Sequence, residues 1–324
     1  MKPVTCFLCP RRCVIIEGAR GNCRVRTNVG GKLFSLVYGK PCSVHIDPIE
    51  KKPFFHILPG SRSFSLATAG CNLHCLYCQN WEISQRPPEE TENIDLVPDD
   101  AVSQALRHDC RSLAYTYSDP VIFYEYAEDI AARAKKEGLL NLLVTAGYIE
   151  QDPLIELCRV SHGANLTIKG MTEDFYKKMC GATLKPVLDA AVTMRNKGLW
   201  LEVTNLIVPT WNDTDNDIRT LCRWVKDHLG KDTPLHFSRF WPMHKLLNLP
   251  PTPESTITRA WDIGKAEGLS FVYVGNLPDH PGNNTFCPTC QKIIIGRQGF
   301  AITENHLNDG TCGHCKAVIP GIWK

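Results

Sequence analysis

Residues 70–80 read Gly-Cys-Asn-Leu-His-Cys-Leu-Tyr-Cys-Gln-Asn, and this run decides the fold class of the chain. Cys71, Cys75 and Cys78 are spaced CxxxCxxC, and the aromatic Tyr77 stands directly before the last cysteine. Three thiolates at this spacing can bind three irons of a 4Fe–4S cluster and leave the fourth iron without a protein ligand. Because an open coordination position is what a metal site needs for catalysis, the run predicts a catalytic centre.

The segments around this run alternate between strand-like and helix-like patterns. Strands are predicted at residues 63–69, 113–117, 141–146, 164–169, 200–208, 235–240 and 270–274. Helices are predicted at residues 99–110, 121–136, 152–160, 172–180, 185–197, 212–229 and 253–267. Helices between successive strands imply parallel pairing through right-handed crossovers. The predicted fold is therefore α/β, an open partial (β/α)6-type barrel whose chemistry gathers at the carboxyl ends of its strands.

The cysteine run comes directly after the predicted strand 63–69, at the carboxyl end of that strand. A zinc knot is the alternative, with His74 as the fourth ligand. The position of the run at the mouth of the fold argues for catalysis instead. Asn212 and Asp213 are predicted to cap the helix that follows the 200–208 strand.

Bulk composition excludes several classes of protein. The chain has 36 Lys and Arg against 34 Asp and Glu, a net charge of +2, so nothing demands nucleic acid or an anionic membrane as a partner. No apolar stretch approaches the ~18 residues of a transmembrane helix. The first residues lack the apolar core of a signal peptide. We expect a cytoplasmic protein.

Sixteen cysteines are the unusual feature of the composition. In a chain without a signal peptide, cysteines in tight CxxC clusters predict metal binding rather than disulfides. Cys42 stands between two of the clusters and has no evident partner. Four further isolated cysteines fall in helix-like stretches and are expected to be small buried hydrophobes. These four are Cys110, Cys158, Cys180 and Cys222.

Two CxxC pairs near the C-terminus predict a zinc ribbon. Rubredoxin-type iron uses the same geometry. The intervening segment carries only Lys292 and Arg297 as fixed positive charges, too few for a phosphate-binding patch, so a structural lid is the better interpretation. The four ligands are Cys287, Cys290, Cys312 and Cys315.

A further group near the N-terminus has the spacing CxxC-x3-C-x9-C. Four thiolates accept either zinc or a second 4Fe–4S cluster. Gly18 and Gly21 indicate a compact knuckle, which favours zinc; a cluster here would serve electron relay or substrate anchoring. The ligands are Cys6, Cys9, Cys13 and Cys23. We expect three units: a Cys-rich module and wrapping segment at 1–62, the partial barrel at 63–280, and the ribbon at 281–324.

More motifs are spread over almost the whole chain: residues 47–53 (Asp-Pro-Ile-Glu-Lys-Lys-Pro), 59–61, 115–120 (Tyr-Thr-Tyr-Ser-Asp-Pro), 207–213, 235–240 and 273–276. Together with the cysteine run, they resemble the AmmeMemoRadiSam system radical SAM enzymes, a family related to the pyruvate formate-lyase activating enzymes. The resemblance implies that the open iron of the cluster binds S-adenosylmethionine (SAM). One electron then gives methionine and a 5′-deoxyadenosyl radical, which abstracts hydrogen from a substrate. It also implies a reductant such as flavodoxin or ferredoxin.

The resemblance further implies SAM contacts. Ser118 and Asp119 stand where the activating enzymes carry Gly-Gly-Glu-Pro, so the Asp119 carboxylate would meet the SAM amino group, and Asp119 is also a good helix N-cap. Lys169 matches the lysine of an Asp-Leu-Lys motif and would pair with the SAM carboxylate. The chain departs from that motif at Thr167, which replaces its aspartate. The remaining implied contacts are Tyr77, His244 and Asn276. Strand alternation adds Thr204, on the same strand face as Glu202, as a further predicted SAM contact.

Glu202 and His236 are polar residues within otherwise apolar strands. A buried polar group must be hydrogen-bonded, and inside a barrel it often faces the ligand. We expect both to face the substrate; a structural ion pair is the alternative.

Three functions follow. The first is radical SAM chemistry on a small molecule or a protein. The second is activation of a glycyl-radical enzyme, which is less favoured because the extra cysteines do not follow the CxxxCxxC run as they do in such activating enzymes. The third is a non-enzymatic iron–sulfur or zinc protein for electron transfer or binding.

Overall fold

The computed structural model describes residues 2–324, and its N-terminal part consists of two short antiparallel strand pairs. In the first, β1 (Val4–Thr5) pairs with β2 (Val14–Ile15); in the second, β3 (Arg26–Val29) pairs with β4 (Lys32–Ser35). The loops between these strands carry the four N-terminal cysteines. The Cys6 backbone N–H donates to the Cys13 carbonyl at 2.9 Å, which closes the first of these loops.

One eight-stranded sheet forms the centre of the protein. Its strands are β5 (Ser43–Pro48), β6 (Arg62–Ala67), β7 (Cys110–Tyr115), β8 (Leu140–Thr145), β9 (Gly163–Thr167), β10 (Trp200–Ile207), β11 (Leu235–Arg239) and β12 (Val272–Gly275). They follow one another in order across the sheet, and all neighbours from β6 to β12 are parallel. The parallel α/β architecture predicted from the sequence is confirmed. The strand β5 adds an antiparallel edge, although the sequence places it in the wrapping segment.

Helices connect the parallel strands. They are α1 (Trp81–Ser84), α2 (Pro98–Arg107), α3 (Tyr124–Lys136), α4 (Gln151–Val160), α5 (Glu173–Phe175), α6 (Lys185–Asn196), α7 (Asp215–Leu229) and α8 (Glu254–Ala266). In α7 the buried residues Ile218, Leu221, Cys222, Val225 and Leu229 recur at helical spacing, so one apolar stripe faces the sheet.

Two local predictions differ from the structure. Thr214, not Asn212 or Asp213, caps α7, because its hydroxyl accepts from the Asp217 N–H at 3.2 Å. The Asn212 side chain instead accepts from the Val208 N–H and donates to backbone carbonyls, which fixes the turn after β10. The predicted helix 172–180 divides into α5 and the π-helical turn Tyr176–Cys180.

The C-terminal part packs against the amino end of the sheet. It contains β13 (Thr285–Phe286), β14 (Ile293–Gln298), β15 (Ala301–Asn305), β16 (Leu307–Asn308) and β17 (Thr311–Cys312). Its small core joins Cys287 and Ile294 to Phe55, Phe271 and Tyr273 of the barrel. Between residues 2 and 324, no helix combines the length and apolar character needed to cross a bilayer.

Candidate active site

The CxxxCxxC loop begins just beyond the carboxyl end of β6 and is held by backbone hydrogen bonds from the other side of the barrel. The His74 and Leu76 N–H groups donate to the carbonyls of Cys180 and Met179, both at 2.9 Å. Gly70 makes the sharp entry possible: its φ is +86°, and a Cβ there would lie 2.4 Å from the Cys23 carbonyl oxygen. The two hydrogen bonds and this glycine therefore define the backbone path of the loop.

The three sulfurs of the loop face one cavity of about 480 Å³. Cys71 Sγ accepts from the Leu73 N–H at 3.4 Å, and Cys78 Sγ lies 3.1 Å from Ser84 Oγ. Tyr77 is 4% exposed, and its hydroxyl lies 3.5 Å from Cys180 Sγ. A cavity of this size suits a small-molecule ligand.

The structure brings most of the predicted cofactor contacts to this cavity. They come from the carboxyl ends of several strands, where parallel α/β folds gather their ligands. The predicted residues that line it are Cys71, Cys75, Tyr77, Cys78, Ser118, Asp119, Lys169, Thr204 and Asn276.

Asp119 is a buried carboxylate with three protein donors. The N–H groups of Val121 and Ala146 donate to it at 3.1 and 2.8 Å, and the Thr145 hydroxyl donates at 3.0 Å. Burial raises the pKa of Asp119 above its ordinary value, although these donors oppose the shift. A carboxylate has about four acceptor sites, so one remains for a ligand while Asp119 also caps the turn before α3.

Lys169 follows β9, and its backbone is fixed on both sides. Its N–H donates to the Tyr176 hydroxyl at 3.1 Å, and its carbonyl accepts from Asn212 Nδ2 at 2.8 Å. Burial lowers the pKa of Lys169, but the negative charge of the nearby Cys75 and Cys180 thiolates reverses this effect and raises the pKa above its ordinary value. Among residues 2–324, no carboxylate forms a salt bridge with this ammonium, so its charge is available to an anionic ligand.

Comparison with known proteins agrees with this geometry. The family model "Radical SAM superfamily" matches residues 65–225. Uncharacterized protein MJ0808 of Methanocaldococcus jannaschii is 48% identical over 297 residues, which cover 92% of this chain and 88% of that protein. The chain belongs to the radical SAM superfamily. The pyruvate formate-lyase 1-activating enzyme of Escherichia coli K12 is 25% identical over 173 residues, or 52% of this chain and 70% of that enzyme.

A solved structure shares the fold. The crystal structure of a radical SAM methyltransferase from Sphaerobacter thermophilus aligns with a TM-score of 0.54 and 14% identity, covering 73% of this chain and 71% of that one. Members of the superfamily are enzymes, and the superfamily implies a 4Fe–4S cluster and SAM.

The residues present fit these groups. Within residues 2–324, the C-terminal cysteines are the one set of three or more metal-binding side chains whose donor atoms all lie within 4.8 Å of one another. The sulfurs of Cys71, Cys75 and Cys78 therefore do not all lie within 4.8 Å of one another. That spacing suits a multi-iron cluster, and the adjoining cavity gives room for SAM.

Two of the SAM-binding residues predicted from the sequence, Thr204 and Asn276, are held in place by hydrogen bonds to neighbouring residues. Thr204 donates its hydroxyl to Asn165 Oδ1 at 2.8 Å. Asn276 adopts a positive φ of 58°, and its amide nitrogen donates to Ser238 Oγ at 3.0 Å and to the Arg239 carbonyl at 3.1 Å. The amide oxygen of Asn276 remains to accept from a ligand.

His244 does not line the cavity. Its ring stacks on Trp81, with centroids 5.3 Å apart and planes 20° from parallel. The Lys245 N–H donates to the Leu76 carbonyl at 2.8 Å, which ties this segment to the outer side of the cysteine loop. His244 therefore lies beside the loop rather than inside the site.

Glu202 and His236 also lie away from the cavity, at the amino ends of their strands. His236 Nε2 is 2.7 Å from Glu202 Oε2, and the N–H groups of Phe55 and His56 donate to the same carboxylate. Burial alone would raise the pKa of Glu202, but its hydrogen bond with His236 outweighs this effect and lowers it. The structure thus places both residues in a closed, fully paired network, as the ion-pair alternative expects.

Sequence reasoning missed Lys52, which lines the cavity although it precedes the parallel strands. Its ammonium lies 2.6 Å from an Asp47 oxygen and 3.9 Å from the centre of the Tyr117 ring. Burial lowers the pKa of Lys52 to about 8, although Asp47 opposes the shift. The run Lys51-Lys52-Pro53 belongs to a motif noticed in the sequence, but nothing local indicates that the chain passes beneath the cavity.

Two more residues were missed because they are distant in sequence. Phe300, at the tip of the β14–β15 hairpin, lines the cavity, so the C-terminal module contributes to the site. Cys180 is buried as expected, together with Cys110, Cys158 and Cys222. Its position against Cys75 and Tyr77, however, makes it part of the support of the cluster loop.

The two four-cysteine groups differ in geometry. The C-terminal sulfurs crowd together: Cys287 and Cys315 are 3.6 Å apart, and Cys290 and Cys312 are 3.8 Å apart. Four sulfurs at about 2.3 Å from one zinc would be separated by about 3.8 Å, so this group fits one tetrahedral ion. The N-terminal cysteines instead line a separate cavity of their own: Cys6, Cys9, Cys13 and Cys23.

Proposed function

We propose that this protein is a radical SAM enzyme that abstracts hydrogen from a substrate held in the 480 Å³ cavity. One observation carries the proposal: the three sulfurs of the CxxxCxxC loop open onto the same cavity as Asp119 and Lys169. When bound, the cluster would supply the electron that splits the SAM sulfonium into methionine and a 5′-deoxyadenosyl radical.

The chain's own residues would bind and orient SAM. Cys71, Cys75 and Cys78 would ligate three irons. Lys169 would hold the carboxylate of SAM as a point charge, and Asp119 would accept one hydrogen from its amino group through the remaining acceptor site. Asn276, with Thr204 and Ser118, would line the side toward the nucleoside. Tyr77 would close the floor beside Cys75.

The test is anaerobic SAM cleavage. Protein loaded with iron and sulfide is reduced, given SAM, and assayed for 5′-deoxyadenosine, beside a Cys75→Ala variant. We expect product from the wild type and a fall to background in Cys75→Ala. Cys110→Ala, which removes a buried thiol remote from the cavity, is the matched control and should retain the activity. Absence of product from a protein with intact clusters, with and without cell extract as a source of substrate, would contradict the proposal.

Zinc is the proposed ion of the C-terminal group, because four crowded thiolates match its tetrahedral geometry. We propose three functional units: residues 1–62, residues 63–280 and residues 281–324. The electron would come from a low-potential donor such as flavodoxin or ferredoxin, and the SAM cavity requires neither nucleic acid nor a membrane.

A second candidate is activation of a glycyl radical on a protein partner. The 25% identity with the E. coli activating enzyme supports it. A partner carrying such a glycine would show a stable organic radical by electron paramagnetic resonance (EPR) after incubation, whereas a small-molecule enzyme would leave none.

A further inference from the structure

The N-terminal cysteines form a site whose metal the sequence leaves open. Cys6 and Cys23 are buried and Cys9 and Cys13 are partly buried. They line a cavity of about 20 Å³ together with apolar side chains, among them Ile15. This cavity shares no lining residue with the SAM cavity described above.

The distances between the sulfurs distinguish a zinc ion from a 4Fe–4S cluster, the two alternatives for four thiolates. Around one zinc ion, sulfurs lie about 3.8 Å apart, as they do in the C-terminal group. No three of the N-terminal sulfurs lie mutually within 4.8 Å, since the C-terminal group is the one such set between residues 2 and 324. All four cysteines line one cavity of about 20 Å³, which exceeds the roughly 10–15 Å³ that one water requires. The N-terminal sulfurs therefore share a space without crowding around a single ion position as the C-terminal sulfurs do.

We infer that Cys6, Cys9, Cys13 and Cys23 bind a second 4Fe–4S cluster. In such a cluster the four irons sit at the corners of a cube and each takes one thiolate, so the ligands stand further apart than around a single ion. All four irons have a cysteine, which leaves none open to SAM. The preference for zinc drawn from Gly18 and Gly21 is replaced by this assignment.

The surroundings of the site suit a buried anionic cluster. The Asn22 N–H donates to Cys13 Sγ at 3.4 Å, and backbone N–H groups also reach the sulfurs of Cys9 and Cys23. Hydrogen bonds to the ligand sulfurs are one of the means by which proteins set cluster potentials. Arg26 also lines the cavity and is 6% exposed; its guanidinium pairs with Glu125 at 2.6 Å, so the thiolates share its positive charge with that carboxylate.

The site also lies against the catalytic loop. Asn72, the residue after Cys71, lines the N-terminal cavity. Arg11 Nε donates to the Asn72 carbonyl at 2.6 Å, and Gly70 packs on the Cys23 carbonyl. The second cluster would therefore be separated from the first by the backbone of this short loop.

Metal counting tests the assignment without reference to activity. The full chain is isolated anaerobically from cells supplied with both metals, and iron is scored only where its Mössbauer spectrum is that of a 4Fe–4S cluster. We expect about eight irons and about one zinc per chain. The variants Cys71→Ala/Cys75→Ala/Cys78→Ala and Cys6→Ala/Cys9→Ala/Cys13→Ala each remove three ligands of one site, so each should keep about four cluster irons. Cys42→Ala, an isolated cysteine, should keep all of them.

The opposite result is equally clear. About four irons and about two zincs in the wild type, with no cluster iron in the Cys71→Ala/Cys75→Ala/Cys78→Ala variant, would overturn the assignment. That outcome would leave SAM cleavage untouched, whereas failure of the proposed function would show as absent 5′-deoxyadenosine despite a full complement of iron. If Cys6→Ala/Cys9→Ala/Cys13→Ala does not fold, the wild-type counts and the Cys71→Ala/Cys75→Ala/Cys78→Ala variant still decide the question.

Discussion

The two ends of the barrel differ in whether their buried polar side chains are paired within the protein. At the carboxyl end, Lys169 has no carboxylate partner within residues 2–324, and Asp119 keeps an acceptor site open toward a cavity. At the amino end, Glu202 and His236 pair with each other and are sealed under residues 54–58 and the C-terminal ribbon. The carboxyl end therefore keeps charged groups that a ligand can pair with. At the amino end the charged groups are paired with each other inside the fold.

The cysteine groups follow the same division. The wide N-terminal group lies against the catalytic loop, whereas the compact C-terminal group packs into the core that closes the amino end. Substitutions at the amino end should therefore lower stability and spare SAM binding. Substitutions at the carboxyl end should do the reverse.

The largest effect is expected from Cys287→Ser. It removes a ligand from the proposed zinc site, and because a structural zinc ion supplies folding energy, the ribbon should unfold at a loss of about 5 kcal/mol or more. Zinc content and the thermal unfolding midpoint measure this. Cys42→Ala is the control and should change neither. Loss of zinc with an unchanged midpoint would show that the ribbon does not depend on its metal.

Glu202→Ala comes next. It leaves the Phe55 and His56 N–H groups, with His236, buried and without their acceptor, so we expect a loss of about 3–5 kcal/mol in the free energy of unfolding. Denaturant titration measures it. Glu202→Gln keeps an acceptor oxygen and should lose clearly less. If Glu202→Ala instead keeps its stability and loses turnover, the substrate role predicted from the sequence is right.

Lys169→Met should weaken SAM binding and leave stability unchanged, the reverse of the expectation for Glu202→Ala. Loss of a charge-assisted hydrogen bond of about 1.5–2 kcal/mol weakens SAM binding roughly 10- to 30-fold, with the unfolding midpoint unchanged. Equilibrium binding of SAM to the cluster-loaded protein measures it. Lys169→Arg retains the charge and should fall between the two. Equal affinity in all three proteins would remove Lys169 from the SAM site.

The smallest effect concerns Lys52 and pH. Folded Lys52 has a pKa of about 8, whereas an unfolded lysine titrates near 10.4. Between these values the unfolded state binds more protons, so this group makes stability rise with pH from about 8 to about 10.4. Lys52→Met should lack that rise, and Lys51→Met should keep it. Denaturant titrations across this window provide the measurement, and identical slopes in wild type and Lys52→Met would contradict the burial of a charged Lys52.

Much of the fold could be predicted because its signals are local. The helices between successive strands indicate that the strands are parallel. The CxxxCxxC run directly after the first parallel strand indicates that the cavity lies at the carboxyl ends of the strands. Thr214 rather than Asn212 caps α7 because Asn212 is engaged with the Lys169 and Leu206 carbonyls, contacts that no sequence pattern reveals.

The parts that could not be predicted depend on long-range packing. Lys52 reaches the cavity because the wrapping segment runs beneath the sheet, where Asn165 Nδ2 donates to the Pro53 carbonyl at 2.8 Å. The sequence predicts Glu202 to be a ligand contact because strand alternation gives the face of the sheet on which its side chain lies. Alternation does not give the position of that side chain along the barrel axis, between the amino and carboxyl ends of the strands. The metal of the N-terminal group could not be predicted, because zinc and a 4Fe–4S cluster differ in the distances between their ligand sulfurs. The number of residues between the cysteines does not give those distances.

The most direct test of the whole account is an EPR spectrum of the reduced wild-type protein recorded with and without SAM. We expect two cluster signals, of which SAM changes one, because only the cluster at Cys71, Cys75 and Cys78 has an open iron. A single signal that SAM changes completely would contradict the second cluster. Signals that SAM leaves unchanged would contradict the radical SAM site itself.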